Sequence, residues 1–165
     1  MFNGRIIALI AAVGFILLVI GVVVYIVWAL ALRKILINVE YANPNWAWVP
    51  FLNTYAMSDA FTEDEYMAAA LLPQIPFQLF KFLWLGGVIF PFIPVLGTLA
   101  GMAATFFYQF TCYRLLLAKA NNRPFKEETA LAVLCSFIPL VALILFFTTK
   151  KPKDYGIFYE SIRNA

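Results

Sequence analysis

Three polar side chains, Gln74, Gln78 and Lys81, stand at i, i+4 and i+7 in a stretch that is otherwise apolar. On a helix that spacing puts all three on one face. Two amides and an ammonium in a row could bind a partner or line a path for ions or lipid. An ammonium at the centre of a bilayer costs at least about 2.5–3.5 kcal/mol, so Lys81 needs a partner or a wet cavity. A lysine that snorkels to the interface is the structural alternative. Acids gather upstream, at Asp59, Glu63, Asp64 and Glu65. They could hold a divalent cation, but Thr62 followed by Glu65 reads as a capping box, and acids at a helix start are usually solvated there. Lys81 with Asp59 or Glu63 is the nearest thing to an acid–base pair. Spacing alone does not bring them together.

Other chemistry is missing. The chain has no histidine, and no HExxH, GxSxG, P-loop or Rossmann glycine pattern. Cys112 and Cys135 lie in apolar runs outside any CxxC pair, which suits inert buried thiols. The sequence therefore gives no catalytic residue, no metal site and no cofactor, and the chain is read as not an enzyme. A lipid-acting enzyme at Asn53 and the acidic segment is the weakest of the functional readings.

The elements that position these residues must live in lipid. Hydrophobic residues make up 64% of the chain and charged ones 13%, against about 45–50% and 25% in soluble domains. The net charge of +3 reflects loop lysines and arginines rather than a nucleic-acid surface. The expected fold is an all-α, polytopic integral membrane protein. Four kinked transmembrane helices cover about 6–32, 66–90, 95–118 and 129–149, with a short interfacial or re-entrant helix within about 43–61 and a polar, aromatic tail at 150–165.

Ile6 to Leu32 carries no charge and is bounded by Arg5, Arg33 and Lys34. It would be about 40 Å long as a helix, too long for the apolar region of a signal peptide. Asn43-Pro44 ends it. Trp46, Trp48, Asn53 and Tyr55 then form either an aromatic turn at headgroup level or a pocket centred on Asn53. Pro73 and Pro76 kink the second span. Pro91, Pro94 and Gly97 turn it into a hairpin with the third, where Gly97 and Gly101 make a GxxxG packing face. Thr98, Thr105, Gln109 and Cys112 share a related face, expected to meet the Gln74/Gln78/Lys81 stripe. Pro139 kinks the fourth span. Four spans put both termini on one side. The loops carry six basic residues and the terminal side five, which decides nothing; the first span's flanks, Arg33-Lys34 against Arg5, lean slightly towards cytoplasmic loops.

The order of these motifs resembles a family of small, uncharacterised bacterial four-span membrane proteins, with a G/N-P-x-W-A-type loop and an IPIYNTY-like turn. The corresponding residues are Asn43 to Ala47, Val49 to Tyr55, Phe92-Ile93-Pro94, Leu115 to Lys119, and Phe137-Ile138-Pro139. Asp59 to Glu65, Lys81 and the charged tail depart from the pattern. The resemblance implies four spans in the bacterial cytoplasmic membrane and no particular reaction. The expected role is a non-catalytic subunit or scaffold assembling with a membrane partner or with itself in the lipid bilayer. A small oligomeric transporter, or an ion or lipid path along the Gln74/Gln78/Lys81 stripe, is the alternative.

Overall fold

The computed structural model describes residues 4–93 and 96–165, with side chains from Ile6 onward. Among the described residues it is all-α, with no strand. Helix α1, Gly4–Asn38, is uncharged from Ile6 to Leu32 and contains no proline. It ends where Glu40 turns to φ 61°. Among the described residues, this is the one helix long and apolar enough to cross a membrane. Its last turns are core: Ala31, Leu32, Ile35 and Leu36 are fully buried. From Ile6 to Val24 every residue is exposed, a bare length of about 28 Å at 1.5 Å per residue.

The chain then runs back beside α1. A 3₁₀ turn, Pro44–Trp48, is tied down when Arg33 Nε donates to Asn45 Oδ1 at 3.0 Å and the Tyr25 hydroxyl donates to the Trp48 carbonyl at 2.8 Å. The reversal comes at Val49-Pro50-Phe51, with Phe51 at φ 68°. Helix α2, Leu52–Asp59, returns to the level of Tyr41, whose hydroxyl donates to Asp59 Oδ2 at 2.8 Å. The expected short helix within 43–61 is thus the rising arm of a hairpin.

The expected helix over 66–90 is not continuous. It is broken into α3 (Glu63–Ala69), α4 (Phe77–Phe80), α5 (Leu85–Ile89) and a 3₁₀ turn at Phe90–Phe92. Ala70 leaves the helix at ψ 140°. Pro73 and Pro76 have no N–H to continue it and push the residue before each out of the α region. The Tyr66 hydroxyl occupies the gap, donating to the carbonyls of Leu72 at 3.2 Å and Ile75 at 2.9 Å.

Helix α6, Leu96–Asn121, runs antiparallel to 77–92. Phe80 stacks on Tyr108 at 5.3 Å, Gly87 abuts Thr105, and Phe90 abuts Gly97. Pro94 and Val95, expected at the bend and at the start of this helix, lie outside the described residues.

The expected span over 129–149 is two helices running opposite ways, not one with a kink. Helix α7, Thr129–Phe137, descends along α6 until Phe137 meets Phe106 at 5.2 Å. Helix α8, Pro139–Thr148, climbs back beside α1. Phe146 packs on Trp28 and Tyr113, each at 5.9 Å, and Asn38 Nδ2 donates to the Thr149 carbonyl at 3.3 Å. Ile138, at φ −127° and ψ 87°, sits out of the helix before a proline without an N–H, so the direction reverses there. Helix α9, Gly156–Arg163, closes the same end. There Tyr155 donates to the Asn38 carbonyl, and Asn122 Nδ2 donates to Asp154 Oδ1 at 3.0 Å. The start of α1 and the C-terminal helix therefore lie at opposite ends of the molecule, against the expectation that both termini share a side.

Candidate functional site

The predicted polar stripe does not assemble. Gln74 is exposed in the turn before α4, and Gln78 is exposed on α4. Lys81, just after α4, donates to Asp59 Oδ1 at 2.6 Å and lies over the Phe77 ring at 4.7 Å. None of the three faces Thr105 or Gln109. The broken backbone at Pro73 and Pro76 removes the helical period on which the stripe depended. Burial pushes the Asp59 carboxyl up, but the hydrogen bonds from Lys81 and Tyr41 outweigh it and hold the group below the usual aspartate range. The Tyr41 hydroxyl is pushed upward by burial and by its bond to Asp59.

The acidic residues diverge as well. The capping box forms: Glu65 N–H donates to Thr62 Oγ1 at 3.3 Å, and Thr62 N–H donates to Glu65 Oε2 at 2.9 Å. Glu65 Oε1 takes Lys119 Nζ at 2.8 Å, while Asp59 is held by Lys81 and Tyr41. Among the described residues no group of three His, Cys, Asp or Glu is placed to hold a metal ion.

The aromatic turn forms. Trp46 sits between Tyr41 and Tyr55, 6.2 Å from each, and Trp48 is held through its carbonyl. Asn53 is not the centre of a pocket. Its Oδ1 accepts from Thr54 Oγ1 at 3.1 Å, and a cavity opens beside the next residues along α2, Thr54 and Met57. Gly97 and Gly101 do pack closely, within the chain. A Cβ on Gly97 would sit 2.1 Å from the Phe90 carbonyl oxygen, and one on Gly101 3.1 Å from that of Gly86.

That cavity has a volume of about 530 Å³ and lies where the two hairpins meet. Thr54 lies in the first turn of α2 and Pro139 opens α8, so each hairpin contributes the residues just past its reversal. Trp84, Gly87 and Val88 come from the descending segment, Thr105, Tyr108 and Gln109 from α6, and Val24 and Trp28 from α1. A second cavity, about 520 Å³, lies between α6, α7 and the 3₁₀ turn, and Gly87, Thr105 and Gln109 line both. Among the described residues, no Asp, Glu, Lys or Arg lines either one. Tyr108 is fixed in the wall by donating to the Thr54 carbonyl, with Ser58 Oγ at 3.2 Å. The indole N–H of Trp84 is buried without a partner.

Thr105 and Gln109 were marked by their spacing. Thr54, Trp84 and Tyr108 were not, because each belongs to a different element and they converge only through the reversals. The fold and site define an all-helical chain with one membrane-length helix and an uncharged cavity between two hairpins. No family model matches the chain, nor does any curated protein or solved structure.

Proposed function

We propose that this chain is an integral membrane protein that holds a hydrophobic guest in a chamber at mid-depth of the bilayer, without catalysing a reaction. The layout that supports this has three crossings, α1, the broken segment 77–92 and α6, and two re-entrant hairpins, 43–61 and 129–149. It replaces the simple four-span layout. Measured along α1, Tyr25 lies about 20 Å from Asn38, so a hairpin whose turn is bonded to Tyr25 reaches the middle of a hydrocarbon layer about 30 Å thick. Irregular backbone at that depth is tolerated only where it is buried in protein or lines a cavity. Discontinuous helices near the midplane are where many transport proteins hold their ligands.

Charge supplies the sidedness. Of twelve Lys and Arg residues, only Arg5 belongs to the end where α1 begins. The rest follow Leu32 in sequence, with Lys81 drawn to Asp59 beside Tyr41. Such asymmetry puts the charged end in the cytoplasm. The motif resemblance supports a bacterial cytoplasmic membrane.

The observation that carries the reading is the uncharged cavity of about 530 Å³ between the hairpins, a size typical of ligand sites. Thr54, Thr105 and Gln109 take the place the Gln74/Gln78/Lys81 stripe was expected to fill. Mass spectrometry of lipids retained after purification in mild detergent tests it. A defined lipid species should stay with the wild type and be lost from Val88→Trp, which fills the cavity from α5. Equal retention by both, or no retained lipid, would overturn the reading.

A second reading, a subunit or scaffold for a membrane partner or a second copy, is favoured by α1. It stands bare from Ile6 to Val24, and a Cβ on Gly14 or Gly21 would meet nothing within 4 Å. A photo-cross-linker at Ile16 tests it in cells. A discrete protein adduct supports it, and lipid adducts alone defeat it.

A further inference from the structure

Resting on the chamber reading, we infer that the guest is a neutral lipid carrying a hydrogen-bond acceptor, a carbonyl or hydroxyl, which it places against α6 at mid-depth. The argument starts with what the walls lack. With no charged residue lining the cavity, a carboxylate or phosphate inside would have no counter-ion, and burying an unpaired charge in such a medium is prohibitive. Phospholipid headgroups are excluded on the same ground.

The walls are nonetheless not purely apolar. Thr105 and Gln109 bring a hydroxyl and an amide to a depth where no water is at hand to satisfy them, while the Thr54 hydroxyl is already given to Asn53. Gln109 lines both cavities and forms no side-chain hydrogen bond among the described residues. The indole N–H of Trp84 is closed off from the cavity and offers it nothing. An amide donor left unpaired in hydrocarbon costs free energy that a guest with an acceptor oxygen would recover. A plain hydrocarbon chain would recover none of it. Val24, at the end of the bare stretch of α1, lines the cavity, so a guest held there can reach the bilayer sideways and keep its apolar body among lipid chains.

Photo-labelling in lipid nanodiscs tests this with three diazirine probes of one chain length: a long-chain methyl ketone, the corresponding fatty acid at pH 9.5, where it is ionised even at a bilayer surface, and the plain alkane. The ketone should label peptides containing Trp84–Val88 and Thr105–Tyr113 saturably, with the fatty acid at least about tenfold weaker and the alkane several-fold weaker. Gln109→Leu removes the amide and keeps most of the side chain's bulk. It should raise the ketone concentration for half-labelling about three- to tenfold, as expected for one lost hydrogen bond. Equal labelling by alkane and ketone, or stronger labelling by the fatty acid, overturns the inference and leaves a chamber that binds chains without reading their polar group. No saturable labelling by any probe overturns the chamber itself. The ranking of probes on the wild type stands as a test even if a variant fails to fold.

Discussion

Lys119 Nζ lies 2.8 Å from Glu65 Oε1, with both side chains buried. The pair joins α6 to α3 across 54 positions of sequence, and the rings of Phe158 and Tyr159 sit 5.8 Å above the ammonium. Glu65 also caps its own helix through its other oxygen, so one carboxylate serves a local and a long-range role. Removing one member of a buried pair leaves the other charge unpaired and costs about 3–5 kcal/mol. Lys119→Met should therefore unfold at a clearly lower temperature in detergent. Adding Glu65→Gln should recover most of the loss, since the amide oxygen still accepts from Thr62 while the orphaned charge is gone. A double variant no more stable than Lys119→Met would mean that the pair does not hold the fold.

Asp59 sets an acid limit on stability. Its carboxyl is depressed on balance, because the bonds from Lys81 and Tyr41 outweigh burial. A depressed folded-state value contributes stability that is complete above the unfolded value of about 3.9 and is lost as pH falls through the folded one. Thermal unfolding of the wild type should hold level from pH 7 to about 5 and then fall. Asp59→Asn should start lower at pH 7 and lose less on acidification. Parallel curves for the two proteins would remove Asp59 from the acid response.

What could be read from the residues alone divides by physical kind. Hydropathy named the long first helix, and local chemistry named the Thr62/Glu65 cap; the break expected at Asn43-Pro44 comes earlier, with α1 ending at Asn38 before Glu40 turns to φ 61°. Direction was not legible. Pro139 and Pro50 each end a helical run, and nothing in a proline distinguishes a kink from a reversal. That choice is made by distant partners, Phe106 for Phe137 and Tyr25 for Trp48. The polar stripe failed for the same reason. Gln74, Gln78 and Lys81 share a face only if the helix continues through Pro73 and Pro76, and it does not. Lys81 did need a partner, and the partner was Asp59, 22 positions upstream.

Glycine positions separate contact inside the chain from open surface. A Cβ on Gly97 would overlap the Phe90 carbonyl, whereas one on Gly14 meets nothing. Gly97→Ala should lower stability by about 1–3 kcal/mol, the usual cost of overpacking. Gly14→Ala should fall within about 0.5 kcal/mol of the wild type. Chemical denaturation in mixed micelles measures both. A Gly97→Ala protein as stable as the wild type would show that the α5–α6 hairpin is looser than this geometry requires.

The reversal at Ile138-Pro139 has a consequence for sidedness that four spans cannot share. With four spans, the loop holding Lys126 and the tail holding Lys153 would lie on opposite faces of the membrane. With α7 and α8 as a re-entrant pair they lie on the same face, since Asn122 beside the loop bonds to Asp154 beside Lys153. In a background with Cys112 and Cys135 replaced, Lys126→Cys and Lys153→Cys should both react with a membrane-impermeant maleimide in inside-out vesicles and in neither case in intact cells stripped of the outer barrier. Phe92→Cys, at the opposite end, should show the reverse. Ile138→Cys, exposed at the hairpin tip but at mid-depth of the bilayer, should react slowly from both sides. Labelling of Lys126→Cys and Lys153→Cys from opposite sides would restore the fourth crossing. The chamber would then lose the α8 wall that Pro139 supplies.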